Sequence, residues 1–494
     1  MGIKTGAEYI ESLRKLRPTV YIEGEKIDCS SSNDAVVDHP LVRPSLETIA
    51  MVYDMANKTE YADIMTTTSH LTGERISTFT HIAQNQDDLE RKVRALRLLQ
   101  HFSGGVCVQR CATLDGMASP YSITYEIDEK YGTEYHKRFK EFVKKVQKDD
   151  LSINLGVTDP KGNRKLRPHE QKNPFAYLKI IEQNKEGIVV KGAKLHQTGG
   201  LGCHVRLITP TRALTEEDKD YAVMFSVPAD AEGVISVLGQ MAPVSTGIEE
   251  NSIETNHRKY SSHTTWMFFD DVFVPWENVY MCGEYEFAAP LISRFGNYHR
   301  TTYGGCFPGW GDVMVGVSSM LGDIHGLSSN HIIKDKITEM VYLTEVMYCC
   351  GTTAAHLGVI TPSGVCIPDS VAANTLKINY SRAPYEIARL AEDVAGGIML
   401  TLPTEKDLGN PDIKKWMELS LEEEEDIPYE DRFRLVSFLT DTLHRDVRGS
   451  LAGAYGSANG AAGSEQSAKV HLGASINLEN YKEIARRLVG ITKE

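Results

Sequence analysis

The hydrophobic period changes twice along this chain of 494 residues. That double change limits the possible folds more than any motif does. From about residue 45 to 150 the apolar positions recur every three or four residues. Leu89, Val93, Leu96 and Leu99 form one such stripe, and Asp87-Asp88 stands where a helix dipole favours acid. Near Asp159-Pro160-Lys161-Gly162 the texture changes. Gly187–Leu195, Val205–Thr209, Tyr221–Val227 and Thr265–Phe269 are short, rich in β-branched and aromatic residues, and bounded by turn formers. Few helical stretches separate them, so an antiparallel barrel or sandwich is expected rather than a βαβ sheet. After Pro275 the helical period returns, with Phe433, Val436, Leu439 and Leu443 on one face of Asp431–Arg448. The expected organisation is α+β: a helical domain over 1–150, a β domain over 151–285 and a helical bundle over 286–494. Residues 1–45 read as irregular, and Glu422–Asp426 reads as a solvated acidic run.

Composition excludes several classes. Asp plus Glu (67) outnumber Lys plus Arg (53), which gives a net charge of −14 and argues against nucleic-acid binding. No apolar run approaches the roughly 18 residues of a membrane span. The start, Met1-Gly-Ile-Lys-Thr-Gly6, has neither a signal-peptide core nor the Ser or Thr of a myristoylation signal, so a cytoplasmic protein is expected. Its nine cysteines then read as thiols or metal ligands rather than disulfides. HExxH, GxSxG and CxxC are absent. Gly199-Gly-Leu-Gly202 lacks dinucleotide spacing, and Gly453–Gly463 lacks the Gly-Lys-Ser/Thr of a phosphate loop.

Three constellations bear chemistry. Cys107-Val-Gln-Arg-Cys111 would place two thiols on one helical face, as adjacent ligands or as two buried small hydrophobes. His299 and Cys306 lie two helical turns apart, and Gly304-Gly305 offers a bend that would aim Cys306 separately. Together these are three thiolates and one imidazole, a set suited to zinc or to an iron–sulfur cluster. The third is a pair of turn-rich segments, Thr158–Arg164 and Gly192–Gly199, read as loops with exposed donors. In them Thr198 suits the polar edge of a planar cofactor, and Lys161 and Arg164 suit phosphate or carboxylate. Cys349-Cys350 reads as helical core and Cys203-His204 as a strand end.

These segments resemble the flavin-dependent 4-hydroxyphenylacetate 3-hydroxylase family, in its 4-hydroxybutyryl-CoA dehydratase (vinylacetyl-CoA Δ-isomerase) branch. The likeness runs from Glu8-Tyr-Ile-Glu to the C-terminal helix. It includes Asp38-His-Pro, Tyr125-Glu-Ile-Asp, Lys130-Tyr-Gly-Thr, Thr158-Asp-Pro-Lys-Gly, His196-Gln-Thr-Gly, Tyr303-Gly-Gly-Cys306 and Pro384-Tyr-Glu-Ile. The resemblance implies an acyl-CoA-dehydrogenase-like subunit with N-terminal helices, a central β-barrel and a C-terminal four-helix bundle, assembled as a homotetramer of two dimers. It implies a [4Fe-4S] cluster on Cys107, Cys111, His299 and Cys306. It also implies FAD near Thr158, Asp159, Pro160, Lys161, Gly162, Arg164 and Thr198, with Gly396-Gly397 approaching a neighbour's flavin. The implied activity is an oxygen-sensitive radical dehydration of a hydroxyacyl-CoA, with FAD as electron acceptor and the cluster as Lewis acid. His299 serves as ligand and proton-transfer group, Tyr303 as proton donor and Gln109 as positioning residue. The chain departs from the branch where it has Phe307, Thr264 and Ser457 in place of Lys, Glu and Glu, which implies a less polar acyl pocket. Redox or isomerisation chemistry on another substrate, and aromatic monooxygenation, are the alternative activities.

Overall fold

The computed structural model describes residues 2–239, 259–421, 428–445 and 464–489. Ser457 and the acidic run from Glu422 to Asp426 lie outside them. The N-terminal unit is built on helices α1 (Gly6–Arg14), α2 (Arg43–Asn57), α3 (Gln86–Ser103), α4 (Cys111–Tyr131) and α5 (Tyr135–Lys148). Residues 1–45, expected to be irregular, hold α1 and a hairpin of β1 (Thr19–Ile22) and β2 (Glu25–Ile27). A capping box starts α1: Thr5 accepts from the Glu8 amide, and Glu8 accepts from the Thr5 amide. In α3 the side chain of Asn85 caps the first turn, Asp87 and Asp88 follow, and Leu89, Val93, Leu96 and Leu99 are buried as expected.

The middle segment contributes β3 (Ile153–Gly156), β4 (Lys179–Gln183), β5 (Gly187–Thr198), β6 (Val205–Ile208), β7 (Val223–Pro228), β8 (Val234–Leu238), β9 (Thr264–Pro275) and β10 (Val279–Cys282). They form a six-stranded sheet in the order β2-β1-β8-β9-β5-β4 and a four-stranded sheet in the order β10-β7-β6-β3. Among the described residues the two sheets do not close into one ring. The pairs β1–β8 and β3–β6 are parallel, because β1 arrives from the N-terminal unit and β3 is followed by a long excursion. The strand expected over Gly187–Leu195 continues to Thr198, so Gly192–Thr198, also read as a loop with exposed donors, is the second half of β5. Its polar residues misled the reading: Lys194 is buried and paired.

The C-terminal unit comprises α6 (Ala288–Ile324), α7 (His331–His356), α8 (Ser370–Tyr380), α9 (Ala383–Ala395), α10 (Tyr429–Thr440), α11 (Glu465–Ser475) and α12 (Leu478–Val489). Phe433, Val436 and Leu439 are buried in α10 as the spacing predicted. Cys349, expected in the core, is exposed on α7. No helix of the described residues is long and apolar enough to cross a membrane.

Gly304-Gly305 does not interrupt α6, which runs unbroken for 37 residues. The two glycines let other helices approach closely. A Cβ on Gly304 would stand 2.4 Å from the Gly351 Cα of α7, and one on Gly305 would stand 2.3 Å from the Val93 carbonyl of α3. Gly304→Ala is therefore expected to lower stability by about 1–3 kcal/mol through overpacking, although alanine is the better helix former. Denaturant titration checks this, and an unchanged midpoint would refute it.

Candidate functional site

Helix α6 sets the frame. His299, Tyr303 and Cys306 are spaced four and three apart and so share one face. His299 is stacked on Phe295, with centroids 5.5 Å apart, and meets Tyr303 edge-on at 5.4 Å. The Cys306 thiol donates to the Thr302 carbonyl at 3.1 Å. Cys111 opens α4, but Cys107 lies in the preceding loop. The expected helical pairing of Cys107 with Cys111 is thus incorrect. The loop turns between them, with Gln109 at φ +63, a left-handed conformation uncommon for a residue with a side chain.

The loop carries the two thiols to Cys306. Burial pushes the Cys111 thiol well up, and the charges of Cys107 and Cys306 push it further. Burial and Cys107 do the same to Cys306, and burial raises Cys107. Three thiols from two distant segments thus lie within electrostatic reach of one another, and burial favours their protonated form against the smaller opposing pull of Lys92 on Cys111 and Cys306. A bound iron cation would reverse that preference, and a set of thiolates and one imidazole fits it. No three His, Cys, Asp or Glu among the described residues are arranged to hold a single metal ion.

His299 is fixed by a group that sequence reading missed. Its Nδ1 lies 2.9 Å from Asp115 Oδ2, which also accepts from Thr302 Oγ1 at 3.0 Å. The Lys92 ammonium bonds Asp115 Oδ1 and donates to the Tyr298 carbonyl at 2.8 Å. Burial would raise the Asp115 carboxyl, but Lys92 and then His299 hold it below its usual value. One signal was present in the sequence: Lys92 interrupts the apolar stripe of α3, and Asp115 sits one turn after Cys111.

Tyr303 is buried and stacked on Tyr380, with centroids 4.3 Å apart and planes at 12°. Burial, Tyr380 and Cys306 keep its phenol protonated. Phe307 packs on Trp310 and Tyr380. The neighbourhood nevertheless holds a basic group absent from the sequence reading. Fully buried Lys377 lies 4.7 Å from the Tyr303 ring centroid, its pKa lowered to about 7 by burial and by Arg300.

The flavin candidates divide. Gln109 reaches β5: a Cβ on Gly199, itself at φ +70, would stand 2.1 Å from Gln109 Oε1. Gln109 Nε2 donates to Ser45 Oγ at 2.9 Å, while its Oε1 is buried without a hydrogen bond. Asn154 Oδ1, Gln197 Oε1 and His263 Nδ1 share that condition. All four residues are attached to the segment 197–201. Asn154 donates to the Thr198 carbonyl, and His263 Nε2 accepts from the Leu201 amide. Unspent buried polar atoms at the end of a strand fit a polar planar ligand beside Thr198. Thr264 pairs with Thr198 across the sheet.

The Thr158–Arg164 loop adjoins the same strand, since Leu195 N donates to the Thr158 carbonyl at 2.7 Å. Buried Asp159 is committed to Lys194 at 2.7 Å. Lys161 and Gly162 both have positive φ, and the Lys161 carbonyl accepts from Tyr177. Pro160 is half-buried and Arg164 is exposed. Gly396 and Gly397 are not brought to this group. They stand exposed at the end of α9, with nothing within 4 Å of a Cβ built on either.

His263 and His204 tie this region to acid stability. Burial lowers their pKa values to about 4 and about 3, from an ordinary 6.5. Above pH 6.5 both are neutral in folded and unfolded chains alike. As pH falls, the unfolded chain takes up protons first, so stability declines from pH 6.5 to about 4. At His263 alone the expected loss over that range is about 3 kcal/mol, the free energy of keeping a buried imidazole neutral where a solvated one is charged. Urea midpoints at pH 7.5, 6 and 5 test this, and a flat profile would contradict it.

Comparison with known proteins gives the following. Residues 5–281 match the family described as 4-hydroxyphenylacetate 3-hydroxylase N terminal, and residues 288–490 match its C terminal. The 4-hydroxybutyryl-CoA dehydratase/vinylacetyl-CoA-Delta-isomerase of Clostridium aminobutyricum is 40% identical over 498 residues, covering 99% of this chain and all of that one. An oxygen-tolerant archaeal 4-hydroxybutyryl-CoA dehydratase from N. maritimus superposes with a TM-score of 0.94 at 38% identity, covering 100% and 96% of the two chains. The oxygenase component of 4-hydroxyphenylacetate 3-monooxygenase, in complex with FAD, shares the fold with a TM-score of 0.84 at 23% identity, over 98% of each chain.

Proposed function

The chain belongs to the 4-hydroxyphenylacetate 3-hydroxylase family, and on that premise we propose that it is a hydro-lyase of the 4-hydroxybutyryl-CoA dehydratase type. It acts on a hydroxyacyl-CoA, with FAD beside Thr198 and a [4Fe-4S] cluster on Cys107, Cys111, His299 and Cys306. The observation that carries this reading is the loop from Cys107 to Cys111. One of its faces brings two thiols to Cys306, and the other sets Gln109 against Gly199, next to Thr198. A cluster takes one protein ligand per iron, so its donors stand farther apart than those around a single ion. When bound, the two groups supply one-electron chemistry and a Lewis acid for the leaving hydroxyl.

The chain's own groups divide the remaining work. Tyr303, kept protonated by burial, holds a proton for the departing oxygen. His299 Nε2, backed through Nδ1 by Asp115, accepts a substrate proton when it is not engaged as a ligand. Gln109 Oε1 offers an unspent acceptor to a donor on cofactor or substrate. An aromatic monooxygenase would leave the three converging thiols without a role. Phe307 in its aromatic setting and Thr264 beside Thr198 favour an acyl group with more apolar surface than 4-hydroxybutyryl.

Anaerobic purification followed by iron, sulfide and flavin analysis tests the assignment, and assays on a panel of hydroxyacyl-CoA thioesters follow. Cluster-stoichiometric iron with FAD, and dehydration of at least one thioester, are expected. Iron-free protein, or FMN in place of FAD, would overturn it.

A further inference from the structure

Three helices meet at one buried carboxylate. Asp115, from α4, is fully buried. Its Oδ1 takes the Lys92 ammonium from α3, and its Oδ2 takes both His299 Nδ1 and Thr302 Oγ1 from α6. Each partner uses a different part of the acceptor set, and an ionised carboxylate supplies all of it. With Nδ1–H donated to Asp115, the neutral imidazole carries its lone pair on Nε2.

We propose that Asp115, held by Lys92, is the positioning residue that selects the His299 tautomer able to bind iron through Nε2. The inference rests on the cluster reading above and concerns a residue outside the ligand set. An imidazole whose second nitrogen is tied to a carboxylate is both oriented and made a stronger donor.

The Lys92 contact makes the proposal testable by a rescue. In Asp115→Asn the amide has one acceptor oxygen. The buried Lys92 ammonium claims it, and the amide N–H is turned toward His299 Nδ1. That nitrogen must then accept, the proton moves to Nε2, and the ligand lone pair is lost. Replacing Lys92 by Met frees the amide oxygen to face His299 again. Asp115→Asn is therefore expected to lose cluster iron to a chelator about 10–100 times more readily than wild type. Lys92→Met with Asp115→Asn is expected to regain most of that retention, with a visible spectrum and midpoint potential shifted by the weaker donor. A purely packing role predicts the opposite order, because the double variant removes two buried partners in place of one.

Flavin content and far-UV circular dichroism serve as controls for folding. If wild type lacks iron, the cluster assignment fails and this inference fails with it. If wild type holds iron and Asp115→Asn holds it equally, or the double variant does no better than the single, only the tautomer assignment is overturned. Should Asp115→Asn not fold, the double variant decides: a potential and spectrum identical to wild type would refute the proposal.

Discussion

Cys306→Ala and Cys107→Ala, each purified without oxygen, are expected to lose cluster iron and sulfide while keeping a substantial share of flavin. Dehydration should fall by at least about a thousandfold, since Lewis-acid stabilisation of a leaving group is worth several kcal/mol and each 1.4 kcal/mol is a factor of ten. The two substitutions act from opposite sides of the site, one from the loop before α4 and one from α6. Neither should unfold the chain. The thiols are small, and Cys107 and Cys306 are only partly buried. The flavin signal should survive because Thr198 and its neighbours are held by sheet pairing with β9 and by Asn154, independently of the thiols. Retention of full iron and sulfide in both variants would remove the cluster assignment.

Arg110→Met is expected to destabilise the fold by about 3–5 kcal/mol, the cost of leaving one half of a buried ion pair behind. Arg110 and Asp150 are almost wholly inaccessible, at 1% and 3% exposure. The guanidinium donates to Asp150 Oδ1 at 2.6 Å, to Tyr53 OH at 2.6 Å and to the Leu151 carbonyl at 3.0 Å, and it lies 4.1 Å from the Tyr53 ring centroid. Methionine fills much of the space and meets none of these acceptors. Arg110→Met with Asp150→Asn should recover part of the loss, because the stranded charge is then gone. The exposed pair Lys144–Glu141 provides the contrast: Lys144→Ala should change stability by less than about 1 kcal/mol. Chemical denaturation of the four proteins settles the matter, and equal midpoints for Arg110→Met and Lys144→Ala would disprove the argument. Because Arg110 sits between Gln109 and Cys111, Arg110→Met should also loosen iron binding.

Much of this architecture was legible in the chain. A helical face is a local property, so the two-turn spacing of His299 and Cys306 put them on one face of a continuous helix, although the glycines between them read as a bend that would separate them; Tyr303 came only with the family resemblance. The stripe of Leu89, Val93, Leu96 and Leu99 located a buried helix for the same reason, and β-branched and aromatic texture between turn formers located the first part of β5 and of β9. The family resemblance supplied the pairing of that helix with Cys107 and Cys111, and membership in the family followed from the matches over both halves of the chain.

Other features depended on contacts between distant segments. The left-handed turn at Gln109 has no glycine to announce it; it accompanies a side chain that donates to Ser45 on α2 and closes against Gly199, contacts between distant segments. Gly304 and Gly305 read as a hinge, since a glycine pair alone does not distinguish a bend from a close approach, and only the positions of Gly351 and Val93 decide. Lys92, Asp115 and Lys377 look like solvent-facing charges in a string of letters. Their burial follows from which helix faces meet, and the energy of a buried charge depends on partners from other helices. Sequence periodicity thus determined the order of the three units and the face that carries the candidate ligands. Tertiary packing alone decided what His299 Nδ1 meets, because its partner is a carboxylate 184 residues away.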